Sequence, residues 1–355
     1  MEKLRSYEDF IFMANMMFKT LGYDLFHTPK PWWRYLLVRG YFVLCTISNF
    51  YEASMVTTRI IEWESLAGSP SKIMRQGLHF FYMLSSQLKF ITFMINRKRL
   101  LQLSHRLKEL YPHKEQNQRK YEVNKYYLSC STRNVLYVYY FVMVVMALEP
   151  LVQSCIIQFI VNVSLGTDLW MMCVSSQISM HLGYLANMLA SIRPSPETEQ
   201  QDCDFLASII KRHQLMIRLQ KDVNYVFGLL LASNLFTTSC LLCCMAYYTV
   251  VEGFNWEGIS YMMLFASVAA QFYVVSSHGQ MLIDLSTNLA KAAFESKWYE
   301  GSLRYKKEIL ILMAQAQRPL EISARGVIII SLDTFKILMT ITYRFFAVIR
   351  QTVEK

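Results

Sequence analysis

VNYVFGLLLASNLFTTSCLLCCMAYYTV, residues 223–250, is an unbroken run of 28 positions with no Asp, Glu, Lys or Arg. Wound as an α-helix it covers about 42 Å, more than the ~30 Å of hydrocarbon in a bilayer. Runs of comparable character stand at 35–58, 77–95, 134–160, 169–192, 258–286 and 326–349, giving seven expected spans. The whole chain of 355 residues is 54% hydrophobic, 14% aromatic and only 17% charged, which suits lipid rather than water as its solvent. The expected architecture is therefore all-α: one polytopic, seven-helix membrane domain over 1–355.

Several spans carry charge. Arg39 and Glu52 interrupt the first, Lys89 the second, and Asp333, Lys336 and Arg344 the last. Such helices turn a polar stripe toward protein or water, so the spans are expected to pack as a bundle. The surplus of ten basic residues sits between the spans, where it sets topology; it does not form a nucleic-acid patch. Lys and Arg number 27 in the N-terminal segment and in 96–133, 193–222 and 287–325, against five in 59–76 and the C-terminal tail. The basic side stays in the cytoplasm, which puts the N-terminus inside and the C-terminus outside.

The beginning of the chain does not read as a secretory signal, because Glu2, Lys3, Arg5, Glu8 and Asp9 stand where an apolar region would be needed. The first span is then expected to direct insertion. The sequon Asn162-Val163-Ser164 falls on the outer side but close to or within the membrane, so it supports the orientation only weakly. The eight cysteines are scattered, mostly inside apolar runs, and free thiols are expected. On the inner side, Arg97–Tyr111 and Leu303–Gln317 read as short helices ending at Pro112 and Pro319, a modest cytoplasmic collar.

Chemistry has little to stand on. Cys240 and Cys243 have the spacing of a metal or redox pair, yet no His or second pair accompanies them. His79, His181 and His278 lack carboxylate or His neighbours at ligand spacing and read as bundle-interior residues. Neither a Gly-x-Ser-Gly setting nor a phosphate-cradling glycine loop is present, and Asp284 and Asp333 lack the glycines an intramembrane protease needs. No enzyme, cofactor or metal is expected.

What remains is an outer half rich in Met, Tyr and Phe with a few polar groups among them, a lining suited to a small apolar ligand. The candidates are His79 and Met83 in span two, Met146, Glu149 and Gln153 in span three, Trp170, Val174 and Gln177 in span four, and Tyr261, Phe265 and Val268 in span six. For each residue singly, helix packing is the simpler reading. Glu149 is the exception, because a carboxylate within a span requires a partner or a function. The last span mixes Asp333, Lys336, Thr340, Thr342, Tyr343, Arg344 and Gln351 with Ile337, Ile341, Phe345 and Val348. A helix so composed either lines a watery path or pairs its polar groups within the bundle.

The C-terminal stretch Trp298-Tyr299, Met313-Ala314-Gln315-Ala316-Gln317-Arg318-Pro319, Ser331-Leu332-Asp333-Thr334-Phe335 and Tyr343-Arg344-Phe345-Phe346-Ala347 closely resembles the signature of insect odorant receptors. The inverted seven-span topology fits that family over nearly the whole chain. Gustatory receptors, the related alternative, are similar only in part: Thr342-Tyr343 is followed by seven residues before Gln351, and no Phe follows it. G-protein-coupled receptors differ in orientation, and this chain lacks their Asp-Arg-Tyr after span three and their Asn-Pro-x-x-Tyr in span seven.

The resemblance implies a subunit of a ligand-gated, non-selective cation channel in the plasma membrane of sensory neurons. It implies binding of a small volatile ligand, and assembly with the family co-receptor into a tetramer around a central pore, with membrane lipid around it and no nucleic acid. It also implies that 326–349 lines the pore, with Phe345 and Val348 at the gate and Gln351 near the outer mouth, and that 193–222 and 287–325 form the subunit contact collar. One departure concerns spans three and four. Family members have a substantial outer loop there, whereas 134–192 is nearly continuous apolar sequence with Gly166-Thr167-Asp168 as its one candidate break. If the fourth helix starts early, Ile157–Phe159 would join two spans with no turn residues. A shortened, non-conducting variant lacking that loop is the expected alternative.

Overall fold

The computed structural model describes residues 4–20, 70–130, 151–252 and 255–353, with isolated positions between 33 and 58. Most of the first expected span and most of the third lie outside the described residues. The described elements are helices α1 (Tyr7–Thr20), α2 (Pro70–Leu110), α3 (Glu115–Lys120), α4 (Val123–Cys130), α5 (Leu151–Ser191), α6 (Glu199–Glu252) and α7 (Trp256–Glu295). After them come α8 (Leu303–Ala316), a hairpin of β1 (Ser323–Ala324) and β2 (Ile328–Ile329), and the last helix α9 (Leu332–Val353). The fold is all-helical apart from that two-residue-per-strand hairpin.

The helices are longer than the apolar runs. α6 has 54 residues, about 80 Å, and α2, α5 and α7 have 41, 41 and 40. No proline interrupts 199–252, so the part of the basic segment from 199 to 222 continues the fifth span as one rod. Of the described helices, only 196–249 passes a strict length-and-composition test for crossing a membrane, an 18-residue stretch within it having mean hydropathy 1.8. The others carry more polar and charged groups within their apolar runs, such as Lys89 and Asp168, which pair with each other, so hydropathy alone undercounts them. In α6 the hydroxyls return to their own helix: Thr237 donates to Ser233 O at 2.9 Å and Ser239 to Leu235 O at 2.9 Å.

Three apolar layers stack along the bundle. At the collar end Leu185 and Leu189 of α5, Leu206 and Ile209 of α6 and Leu289 of α7 pack on Tyr305, Ile309 and Leu312 of α8. The middle layer joins α1 to α2, α5 and α6 through Phe10, Phe18, Phe93, Trp170 and Phe227, with Phe18 and Phe93 stacked at 4.6 Å. The third layer holds Leu78, Leu241, Met245, Leu264, Phe272 and Leu338, and so brings α9 against α2, α6 and α7. Ordered termini position these rods: Asn255 Oδ1 accepts from Gly258 N at 2.8 Å to cap α7, and Ser302 Oγ accepts from Tyr305 N at 3.2 Å to cap α8.

Gly166-Thr167-Asp168 is no break; it lies inside α5, which runs unbroken through Ile157–Phe159 as well. Each of the three residues has an interior role. A side chain on Gly166 would meet the Phe18 ring at 2.8 Å, so the glycine admits α1. Thr167 donates to Ser164 O at 2.9 Å, and Asp168 is the partner of Lys89. The turn-like composition reflects close packing and ion pairing.

After Pro319 the chain is held by side chains of α6 and α7. Asn224 Nδ2 donates to Glu321 O at 2.9 Å while its Oδ1 accepts from Ser323 N at 3.1 Å; Gln220 also donates to Glu321 O, and Ser286 Oγ accepts from Leu320 N at 2.9 Å. Asn224→Ala takes the acceptor from Ser323 N–H and leaves Glu321 O with Gln220 as its side-chain donor. A loss of about 1–3 kcal/mol is expected, read as a lowered unfolding temperature of the purified protein in detergent.

Candidate functional site

Two features stand out: a charged network between helices, and the exposed face of α9. Lys89 Nζ donates to Asp168 Oδ1 at 3.1 Å, to Oδ2 at 3.0 Å and to Ser164 Oγ at 2.9 Å, with both charged side chains only 1% exposed. Gln271 Nε2 of α7 donates to the same Oδ2 at 2.6 Å. One carboxylate thus ties α2, α5 and α7 together. Removing two charges from water costs several kcal/mol per ion, and geometry this complete is what offsets it. Lys89 was legible in the sequence as a charge within a span; its partner Asp168 was assigned to a break, and Gln271 gave no signal of its own.

The last helix packs by a narrow strip. Leu338 and Thr342 are buried, and Phe335 lies against Phe272 and Tyr273 at ring distances of 6.3 and 5.4 Å. On the other side Asp333, Ile337, Thr340, Arg344, Val348 and Gln351 recur at helical spacing along one exposed face, with Ile337 60% and Val348 64% exposed. Tyr343 and Phe345 flank that face, also exposed. The conserved-looking order of the C-terminal motif has a local reading: Pro319 follows α8, Ser331 Oγ accepts from Thr334 N at 3.4 Å at the start of α9, and Phe335 makes the aromatic contact.

The expected ligand-lining residues divide into two groups. Tyr261 and Phe265 pack on the third layer, Val268 belongs to it, and Tyr261 lies 4.1 Å from Tyr248 between ring centres. Met83 is buried and follows Phe81 and Tyr82, which pack on that same layer. Trp170 and Val174 belong to the middle layer instead, beyond Asp168 toward the collar, and Gln177 is buried there with them. Met146 and Glu149 lie outside the described residues, and of His79 and Gln153 the helix alone is described. His278 bonds Val274 O through Nδ1 at 2.8 Å, and His181 sits edge-on to Tyr121 at 5.3 Å.

The family model "7tm Odorant receptor" matches residues 150–343, more than half of the chain. This chain is an odorant receptor of that family. It is 89% identical to Odorant receptor 49a of Drosophila melanogaster over 396 aligned positions that cover 100% of both chains. Odorant receptor 85f of the same species is 29% identical, covering 98% of each chain. In fold the receptor is similar to the insect olfactory receptor OR5 from Machilis hrabei, solved in complex with eugenol, with a TM-score of 0.81 at 15% identity over 98% of both chains.

The first alignment has a further content. Its 396 positions exceed the receptor's 355 residues by 41, so at least 41 positions have no residue here, and because both chains are covered end to end they are internal. Identity at 89% of 396 positions is about 352 matches, nearly every residue this chain has. The two sequences therefore differ almost entirely by an internal omission.

Proposed function

We propose that this receptor is a subunit of an odour-gated, non-selective cation channel of the plasma membrane of sensory neurons, assembling with the family co-receptor, as a tetramer, around a pore lined by α9. The observation that carries the reading is the exposed face from Asp333 to Gln351, on which polar and apolar groups alternate while the opposite side holds the bundle. Such a face suits a water path lined by neighbouring copies. Phe345 and Val348 take the gate and Gln351 the outer mouth. The segments 193–222 and 287–325 serve as the contact collar, in keeping with exposed Phe294, Tyr299, Leu303 and Ile311 there.

The ligand is a small volatile molecule held in the outer half. Met83, Tyr261, Phe265 and Val268, which share the third layer's surroundings, are its nearest expected neighbours; Trp170, Val174 and Gln177 lie deeper. The eugenol in the OR5 complex, a ligand of that size, supports this reading. In cells expressing the receptor with the co-receptor, a ligand-evoked current is expected, and Gln351→Glu is expected to shift its calcium-to-sodium permeability. Unchanged permeability would remove α9 from the pore.

A second reading rests on the internal omission: a shortened form that assembles but does not gate. The family match begins at residue 150, just before α5, and α5 runs through Ile157–Phe159 without a turn, which supports placing the omission N-terminal to α5. A longer transcript from the same locus is expected; a locus encoding only this form would count against it.

A further inference from the structure

The polar tie between α2, α5 and α7 adjoins the aromatic contact that holds α9. Gln271 donates to Asp168 Oδ2 at 2.6 Å, and the next two residues of the same helix, Phe272 and Tyr273, are the ones whose rings meet Phe335 in the first turn of α9. Phe272 and Leu338 share one apolar layer with Leu78 of α2, and Phe81 and Tyr82 of α2 pack on it. The fixed end of this chain is firm: Lys89 satisfies its ammonium with three oxygens, and Asp168 answers with both carboxylate oxygens.

We propose that Gln271 is a positioning residue that couples the Lys89–Asp168 pair to the last helix: its amide fixes the rotation of α7, and α7 presents Phe272 and Tyr273 to Phe335. Three points argue for this. Apolar side chains would pack α2, α5 and α7 equally well without the desolvation cost of an ion pair, so its presence in a membrane bundle calls for a role beyond adhesion. A rotation of α7 by one side-chain step moves residues 272 and 273 together, because neighbouring positions lie about 100° apart on a helix. Phe335 is only one of a few anchors of a helix otherwise exposed along most of its length, so its seat governs where α9 lies. A ligand that prises α7 from α5 would, by this route, release the first turn of α9.

The inference rests on the channel reading for its consequence, but its test does not depend on current. Receptor carrying Val348→Cys is expressed with the co-receptor in permeabilised cells and labelled with a methanethiosulfonate reagent, with the receptor lacking that substitution as blank. Gln271→Leu, and Gln271→Met as a second variant of similar volume, are expected to change the labelling rate by at least about threefold while surface level and size-exclusion profile stay unchanged. Phe335→Leu shifts the rate alike, and the double variant shifts it no further than either single one. Rates within about twofold of the parent, or single effects that add, overturn the coupling. If the parent passes no ligand-evoked current while the rates still shift, the channel reading falls and the coupling stands. If current is present and the rates do not move, the coupling alone falls.

Discussion

Asp168→Ala is expected to remove most folded receptor from the cell surface, because it leaves Lys89 as a buried charge whose hydrogen bonds, among the described residues, reduce to the one accepted by Ser164 Oγ. Breaking one side of a buried pair costs about 3–5 kcal/mol, a large share of the stability of an ordinary domain. Lys89→Met is expected to be nearly as damaging, since Asp168 then keeps only Gln271 as donor among the bonds described above. The paired replacement Lys89→Met with Asp168→Leu separates charge from packing. It removes both desolvation penalties and fills a similar volume, so surface level and unfolding temperature are expected to return close to the parent's. Equal loss in the single and double variants, by surface biotinylation and thermal unfolding in detergent, would show that shape alone matters at this site.

Gly279→Ala is the second large effect. An added methyl would stand 2.0 Å from the carbonyl oxygen of Ile330, closer than any relaxed contact allows, and the obstacle is backbone. Ile330 is itself fixed, its N–H donating to Ile322 O at 2.8 Å, so the hairpin cannot yield without losing its own bond. The expected loss is about 3 kcal/mol or more, with α9 displaced because it starts two residues further on. Gly228, on the other side of the same hairpin, gives the comparison: a methyl there meets Arg325 N at 3.2 Å and Ser323 O at 3.3 Å, so Gly228→Ala should cost less. Unfolding temperatures of the two variants in detergent check the order. The hairpin turn adds its own demand, with Arg325 at φ 51° and Gly326 at φ 75°, a left-handed pair that glycine accepts freely.

The all-helical class and the family were legible from the apolar runs, the basic segments between them and the C-terminal motif, because lipid permits few alternatives to a packed helical bundle. Helix lengths were not. Apolar periodicity marks where a helix meets lipid, and says nothing of where it stops in water, so the continuity of 199–222 with the fifth span as one helix, α6, was not legible. Gly166-Thr167-Asp168 misled because glycine, a small hydroxyl and a carboxylate make turns in solvent; here they answer to Phe18, to Ser164 and to Lys89, each distant or local in ways composition does not carry. The same registry problem spread the expected ligand residues of span four into the middle layer, since taking 166–168 as an outer end set Trp170 and Val174 near the surface. Gln271 could not have been singled out, as an amide within a span is common and its value depends on a carboxylate 103 positions away.

The proposed odour-gated cation current of this receptor with the co-receptor, through a pore lined by α9, is tested by whole-cell recording from cells expressing both, with a panel of volatile ligands, beside the co-receptor alone and beside Odorant receptor 49a with the same co-receptor. A ligand-evoked cation current that the co-receptor alone lacks is expected of the receptor. Silence at confirmed surface level, while Odorant receptor 49a responds in the same cells, would contradict it and leave the shortened, non-conducting subunit in its place.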